Sequence, residues 1–368
     1  MGNKLKINTG KLRASTRRNL TTILLMVAVY AIVEILVKAG LMDSLYQGLL
    51  VPVCVYIILA LSLNIVVGFL GELSLGHAGF MCVGAYTSSI FSISVQNAIP
   101  NTAVRFTLAL VVGAFFAMLF GIIVGIPVLR LNGDYLAIVT LAFGEIVKNI
   151  VNILYIGVDG SGLHISLKDA SQLHLAKSGT VILNGAQGIS GTPNDSNFTV
   201  AFVIMLITIV AIMTLTDSKT GRAIAAIRDN RIAAESIGIN ISKYKLIAFV
   251  ISSIFAGMAG VLYSHNYAVL TATTNNFGYN QSIMALVFVV LGGMGNLRGT
   301  VIATAVLYIL PELLRKISPA ISNYRMLIYS IVLIAMMIFS NSPRVTDFVS
   351  LLKVKLIGKK DPDAEGSK

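Results

Sequence analysis

Charge is what this chain has least of: Asp, Glu, Lys and Arg together make up 12% of its 368 residues, about half the share usual in a soluble domain. With 56% hydrophobic residues and a mean hydropathy of +0.83, lipid rather than water is its main solvent. Acidic residues are the scarcer sign, 16 against 28 basic, for a net charge of +12. In a soluble protein that excess would point to nucleic acid, but most of the basic residues fall on one side of the predicted membrane, and that reading is removed. Cysteine is limited to Cys54 and Cys82, both in or beside apolar runs, so neither a disulfide framework nor a zinc site is indicated. The four histidines, His77, His164, His174 and His265, show no metal-ligand spacing, and no nucleophile has a credible base. No G-x-x-x-x-G-K-[ST] stretch occurs, so the chain has no phosphate cradle of its own. Energy for any transport has to come from a partner or an ion gradient.

What is present is a series of apolar runs. Spans are predicted near 20–37, 45–67, 77–95, 105–129, 135–156, 198–216, 246–263, 281–293, 300–314 and 324–340, each judged against the roughly 20 residues a bilayer requires. The expected fold is all-α and polytopic, with about ten transmembrane helices and both termini cytoplasmic. By tally about 20 of the 28 Lys and Arg residues lie on the side of the N-terminus, as the positive-inside rule asks. Residues 1–19 form a basic cytoplasmic segment and the run after them reads as a signal anchor. Residues 20–340 form the transmembrane domain, and 341–368 a charged cytoplasmic tail. The span at 281–293 is too short for a full crossing and ends in Gly292, Gly293 and Gly295, the expected hinge of a broken helix near a pathway or an ordinary cytoplasmic turn. Residues 157–197 read as an extracytoplasmic cap with turns at Gly160, Gly185, Gly188 and Gly191.

Between the sixth and seventh spans lies the basic stretch 217–245, with Lys219, Arg222, Arg228, Arg231, Lys243 and Lys245. In helical register Ala233, Ala234, Ile237 and Gly238 share one side, and Arg231 and Glu235 another, which predicts a short amphipathic helix along the inner surface. It docks into a protein groove or lies against lipid headgroups. Elsewhere Gly113, Ala117, Gly121 and Gly125 form a four-residue stripe, and Ser253 with Gly257 and Ala256 with Gly260 form a second; both predict close helix packing. Glu145, near the middle of the fifth span, is expected to pair with Lys148 at i,i+3. That pair serves packing or lines a polar path.

The run GRAIAAIRDNRIAAESIGINISKYKLIAFVISSIFAGMAGVLY, with GELSLGHAGFMCVGAY at 71–86, LRLNGDYLAIVTLAFGEI at 129–146, NGAQGISG at 184–191 and SIMALVFVVLGGMGNLRG at 282–299, resembles the LivM-type permeases of branched-chain amino acid ABC transporters. Several ordered matches from about residue 51 to 339 are far more specific than any one alone. The chain departs from the pattern at an apparent insertion, about 157–181, at Thr273 and Thr274 ahead of Phe277, and in its closing segment. The resemblance implies an ATPase-coupling role for Arg228, Asp229, Ala233, Ala234, Glu235 and Gly238. For the translocation path the polar residues at membrane depth are Ser74, His77, Tyr135, Thr140, Glu145 and Ser282.

The function so implied is that of the membrane permease of an ATP-driven importer, itself neither an enzyme nor a carrier of cofactor. Its partners would be a sister permease, two ATPase subunits that bind ATP and Mg, an external substrate-binding protein and a small-molecule solute, a branched-chain or related amino acid. The setting is the bacterial inner membrane. Alternatives are a urea or short-chain amide permease of similar motif and, from another class, a standalone ion-coupled secondary transporter, which usually has broken helices in both halves. Only one broken segment is visible in the sequence.

Overall fold

A computed structural model describes residues 9–128, 134–160, 162–176 and 179–317, with positions 330, 331 and 334. The chain divides into two units, Met1–Ala305 and Val306–Lys368. The first holds everything discussed below; to the described residues the second contributes the end of the last helix and the three isolated positions. The expected tenth span and the charged tail therefore lie outside the described residues, apart from those three.

Eleven α-helices are described: nine coincide with the other predicted spans, that of the fifth stopping short of its end, and two lie between the sixth and seventh. They are α1 (Thr9–Lys38), α2 (Ser44–Asn64), α3 (His77–Ser94), α4 (Thr102–Val128), α5 (Asp134–Ile153), α6 (Phe198–Asp217), α7 (Lys219–Asp229), α8 (Arg231–Ser236), α9 (Ile241–Ser264), α10 (Tyr279–Gly292) and α11 (Leu297–Ile317). α2 runs directly into a π-helical turn, Ile65–Leu70. Among the described residues six helices are long and apolar enough to cross a membrane, in α1, α2 with its π turn, α4, α5, α6 and α9. Of the ten spans expected, these six meet that requirement among the described residues, with α10 as a shorter apolar helix. At 14 residues, α10 is about 21 Å long against a hydrocarbon core of about 30 Å, as its glycine-rich end suggested.

α9 is the centre of the bundle, and small residues are the reason it can be. The buried positions of α4 are Arg105, Phe106, Ala109, Gly113, Ala117, Gly121, Gly125 and Val128, the four-residue stripe read from the sequence. A Cβ built on Gly121 would run into Ser253, and one on Gly257 into Ala117, so the stripes of α4 and α9 are each other's partners. The adjoining side of α9 meets α3: added Cβ atoms at Gly84 and Gly260 would strike the backbone of Gly257 and of Met81. Backbone contact this close is the lipid-phase substitute for a hydrophobic driving force. Cys54 and Cys82 are free thiols buried in the same packing.

The expectation of an all-α fold needs one correction. Strands β1 (Tyr155–Asp159), β2 (Gly162–Ser166), β3 (Thr180–Asn184), β4 (Ile189–Ser190) and β5 (Val269–Leu270) form a five-stranded antiparallel sheet in the order β2-β1-β3-β4-β5. β1 begins where the fifth span was expected to continue, because α5 stops at Ile153. β5 comes from the segment after α9, so the cap joins two distant parts of the chain. Gly188, with φ +76°, lies against the carbonyl of Leu270, and only glycine allows both that backbone conformation and that approach. The cap and the α7–α8 segment lie at opposite ends of α6 and of α9. Two strands of two residues and three of five are too short to announce themselves by alternation.

Arg105 at the start of α4 fixes this end. Its Nε and Nη2 donate to Asp195 Oδ2 at 3.2 and 2.8 Å, and both side chains are only 7% exposed. The loop ahead of α6 is thereby tied to α4.

Candidate functional site

The stretch 217–245 folds as three separately capped pieces. Ser218 Oγ accepts from Gly221 N at 3.1 Å at the start of α7, Asn230 Oδ1 from Ala233 N at 3.0 Å at the start of α8, and Asn240 Oδ1 from Lys243 N at 3.0 Å at the start of α9. Each cap satisfies an amide that the first helical turn leaves unpaired. Gly238, at φ +87°, ends α8 with a left-handed turn that a side chain would strain. Hence the single amphipathic helix expected here is two, with a corner at Asn230, and the last piece already belongs to α9.

α7 is held to the bundle by Ile224 and Ile227, its two buried residues. Of α8 only Ala234 is buried, at 2% exposed, while Ile232 and Ile237 are 81% and 75% exposed. The expected shared face of Ala233, Ala234, Ile237 and Gly238 is therefore divided: Ala234 turns inward, and Ala233, Glu235, Ile237 and Gly238 are exposed. Ile232 belongs with the exposed group and was not singled out from the sequence, because the Asn230 corner changes the register used to sort the faces. Asp229 is also exposed, and its Oδ1 accepts from Arg228 Nε and Nη2 at 3.2 and 3.1 Å. Arg228 Nη1 reaches inward to the carbonyl of Gly68 at 2.9 Å. A cleft of about 310 Å³ between α7, the end of α6 and the π turn is lined by Ile65, Phe69, Leu215, Ile224 and Arg228 among others.

Lys245 is a correction to the charge reading. It lies in the first turns of α9 and is 2% exposed, forming an ion pair with Glu72. The aliphatic context of α9 hides a lysine whose partner is 173 residues away in sequence.

Segment 71–76, between the π turn and α3, gathers four of the six expected path residues. Leu75 N donates to Thr140 Oγ1 at 3.0 Å, and Ala78 N to Ser282 Oγ at 3.0 Å. Ser74 Oγ and His77 Nδ1 are 3.3 Å apart, and His77 Nε2 lies 2.6 Å from Ser252 Oγ, which in turn donates to the carbonyl of Ser62. Ser74, His77, Thr140 and Ser282 are all essentially buried. Thr140 thereby satisfies an amide of the non-helical segment and Ser282 one in the first turn of α3, as burial demands of a backbone N–H. Tyr135 stands apart, 70% exposed on α5.

Glu145 pairs with Lys148 as the spacing predicted. What spacing could not tell is that Glu145 Oε1 also accepts from Tyr279 N at 3.0 Å, and that Lys148 Nζ reaches Thr274 Oγ1 at 3.3 Å. Tyr279 is the first residue of α10, so the carboxylate sits on the positive end of that helix. At the other end of α10, Gly292 leaves room only for the backbone of Thr300, and Gly293 and Gly295 take φ +90° and +78°. This makes the expected glycine hinge a tight turn from α10 into α11. A second interruption, the π turn with segment 71–76, packs against it; the sequence showed only the later one. The number of broken segments therefore no longer separates an ATP-driven permease from an ion-coupled carrier.

Comparison with known proteins bears on that choice. Residues 45–337 match the model of the family described as branched-chain amino acid transport system, permease component. The chain is 33% identical over 294 residues to the high-affinity branched-chain amino acid transport system permease protein LivM of Salmonella typhimurium, and equally to LivM of Escherichia coli. Those matches cover 77% of this chain and 66% of each LivM protein, so the chain spans just under two thirds of their length. It is 24% identical over 261 residues to the permease protein LivH of Escherichia coli, covering 68% of this chain and 79% of that one. No solved structure matches.

Proposed function

This chain belongs to the family of permease components of branched-chain amino acid transport systems, and on that premise we propose that it is the membrane subunit of an ATP-binding-cassette importer for a branched-chain or related amino acid. The observation that carries the reading is the build of 217–245. α7 is anchored in the bundle through Ile224 and Ile227, while α8 turns Ile232 and Ile237 outward beside Glu235. An anchored lever with a bare apolar tip suits a groove on another protein. That partner is one of two ATPase subunits carrying ATP and Mg; Arg228, Asp229, Ala233, Ala234, Glu235 and Gly238 form or shape the contact. The basic residues of the segment support a cytoplasmic setting for this end, and those of residues 1–19 and 341–368 support the same for both termini. The five-stranded cap then faces outward, toward an external substrate-binding protein.

A sister permease covers the outer face of α5, where Tyr135, Ile138 and Ile146 are 70%, 62% and 55% exposed. The solute path runs along that face past Glu145 and Tyr279. In this reading Ser74, His77, Thr140 and Ser282 act from behind the path, fixing the segment that supports it. ATP-driven closure of the ATPases favours one of two access states, and a ligand moves such an equilibrium only by binding the states differently.

Uptake of labelled leucine, glutamate and urea by the reconstituted complex, with and without ATP, tests the function and selects the solute. ATP-independent uptake driven by an ion gradient would overturn it. Two substitutions sharpen the test. Glu235→Arg reverses an exposed charge at the lever tip and is expected to lower ATP-driven uptake about tenfold or more, at unchanged protein yield; normal uptake would remove the docking assignment. Glu145→Gln keeps an acceptor for Tyr279 N but loses the ion pair with Lys148, and uptake should fall several-fold, roughly what 1–2 kcal/mol produces, with expression intact. Unchanged transport would assign the pair to packing alone.

A further inference from the structure

Asn64, the last residue of α2 and fully buried, uses one end of its amide on the turn between α10 and α11 and the other on the first turn of α11. Its Oδ1 accepts from Gly295 N at 2.8 Å, and its Nδ2 donates to Thr300 Oγ1 at 2.9 Å; the Thr300 hydroxyl passes the chain on to Asn296 O at 3.0 Å. One helical turn further along, the carbonyl of Gly68 accepts from Arg228 Nη1. The last carbonyls of a helix have no partner within it, and a cation there also suits the helix dipole, so Arg228 completes this helix end. The two contacts are locked together at Gly68. A Cβ there would strike Asn64 Oδ1 and Gly295 N at once, so the absence of a side chain lets the α10–α11 turn lie directly on the helix end that α7 holds. Glu72, just past the π turn, is held by Lys245 at the other end of the 217–245 stretch. The same short segment is thus gripped twice by the coupling loop and once, through Asn64, by the glycine turn.

We propose that Asn64 is a positioning residue of the transport cycle: it latches the α10–α11 turn to the helix end held by Arg228, so that a displacement of α7 moves that turn and, with it, α10. This rests on the ATPase-coupling reading of 217–245. A satisfied buried amide fixes a geometry more than it stabilises a fold, and an amide that bonds both the turn and the start of the helix after it fixes the position and the tilt of the turn.

The test measures labelled leucine uptake and ATP hydrolysis in the same proteoliposomes, for the complete complex carrying Asn64→Leu or Thr300→Val. Asn64→Leu removes both bonds at similar volume; Thr300→Val removes one of the two, together with the Thr300 hydroxyl's own bond to Asn296 O, with no change of shape. Leucine imported per ATP hydrolysed should fall at least about fivefold in Asn64→Leu, the low end of usual coupling strengths, and by less in Thr300→Val, while hydrolysis continues. A structural Asn64 would instead reduce the amount of assembled complex and leave the ratio unchanged in what assembles, which overturns the proposal. Where Asn64→Leu fails to assemble, Thr300→Val decides by the same ratio. A wild-type complex without ATP-driven uptake overturns the coupling reading itself, and the latch with it; a wild type that couples, beside variants of wild-type ratio, overturns the latch alone.

Discussion

Gly260→Val should abolish assembly of the bundle, with a loss of stability of more than about 3 kcal/mol, beyond the usual range for overpacking. The reason is what the new side chain meets. A Cβ at Gly260 falls on the carbonyl of Met81 and close to Ala85 N at 2.9 Å, and backbone on a packed helix has no rotamer to change. α3 and α9 would have to separate, and α4 packs on the neighbouring stripe of α9 and on Gly84 of α3, so the disturbance reaches three helices. Gly48→Ala is the matched control: nothing lies within 4 Å of its added Cβ, and alanine is favoured over glycine in a helix by about 1 kcal/mol. Thermal unfolding of the detergent-solubilised protein should show Gly48→Ala at or above wild type, and Gly260→Val without a cooperative transition. A cooperative Gly260→Val with wild-type midpoint would mean that α3 and α9 do not approach as described.

The second large effect is expected at Lys245→Met. The methionine fits the aliphatic course of the lysine but leaves Glu72, 16% exposed, without its cation. Removing one partner of a buried ion pair costs about 3–5 kcal/mol, and the partial exposure of Glu72 puts this case near 3. The surface pair Arg228 with Asp229, at 42% and 69% exposure, should by contrast contribute at most about 1 kcal/mol to stability. A melting midpoint for Lys245→Met equal to wild type would show that the pair is solvated. The exchange Lys245→Glu with Glu72→Lys should recover part of the loss, because the pairing survives while the local environment of each charge does not.

Several of the contacts behind these results were legible from spacing alone. The stripe from Gly113 to Gly125, the i,i+3 pair of Glu145 and Lys148, and the short glycine-ended helix at 281–293 all depend on the period of one helix, and each is found where the period puts it. The segment 217–245 was recognisable as a basic unit between two apolar helices for the same reason. Residues whose role depends on another part of the chain were not. Lys245 reads as a loop cation until Glu72 is beside it. Ser74, His77, Thr140 and Ser282 read as separate polar residues at membrane depth, and only the fold brings them together at segment 71–76 and the start of α3, where Thr140 accepts from Leu75 N and Ser282 from Ala78 N. Asn64 carried no signal at all, since an amide at the end of an apolar helix is ordinary until Gly295 and Thr300 are placed against it.

By itself the sequence determined the solvent, the helices, their small-residue faces and the family, because hydropathy, periodicity and motif order are properties of neighbours along the chain. Only the tertiary structure decided which stripe meets which, that a five-stranded sheet caps one end, and that the π turn and the α10–α11 turn are packed on one another. Those are pairings between residues as much as 236 positions apart, and they are fixed by which backbones fit together in three dimensions rather than by any local pattern.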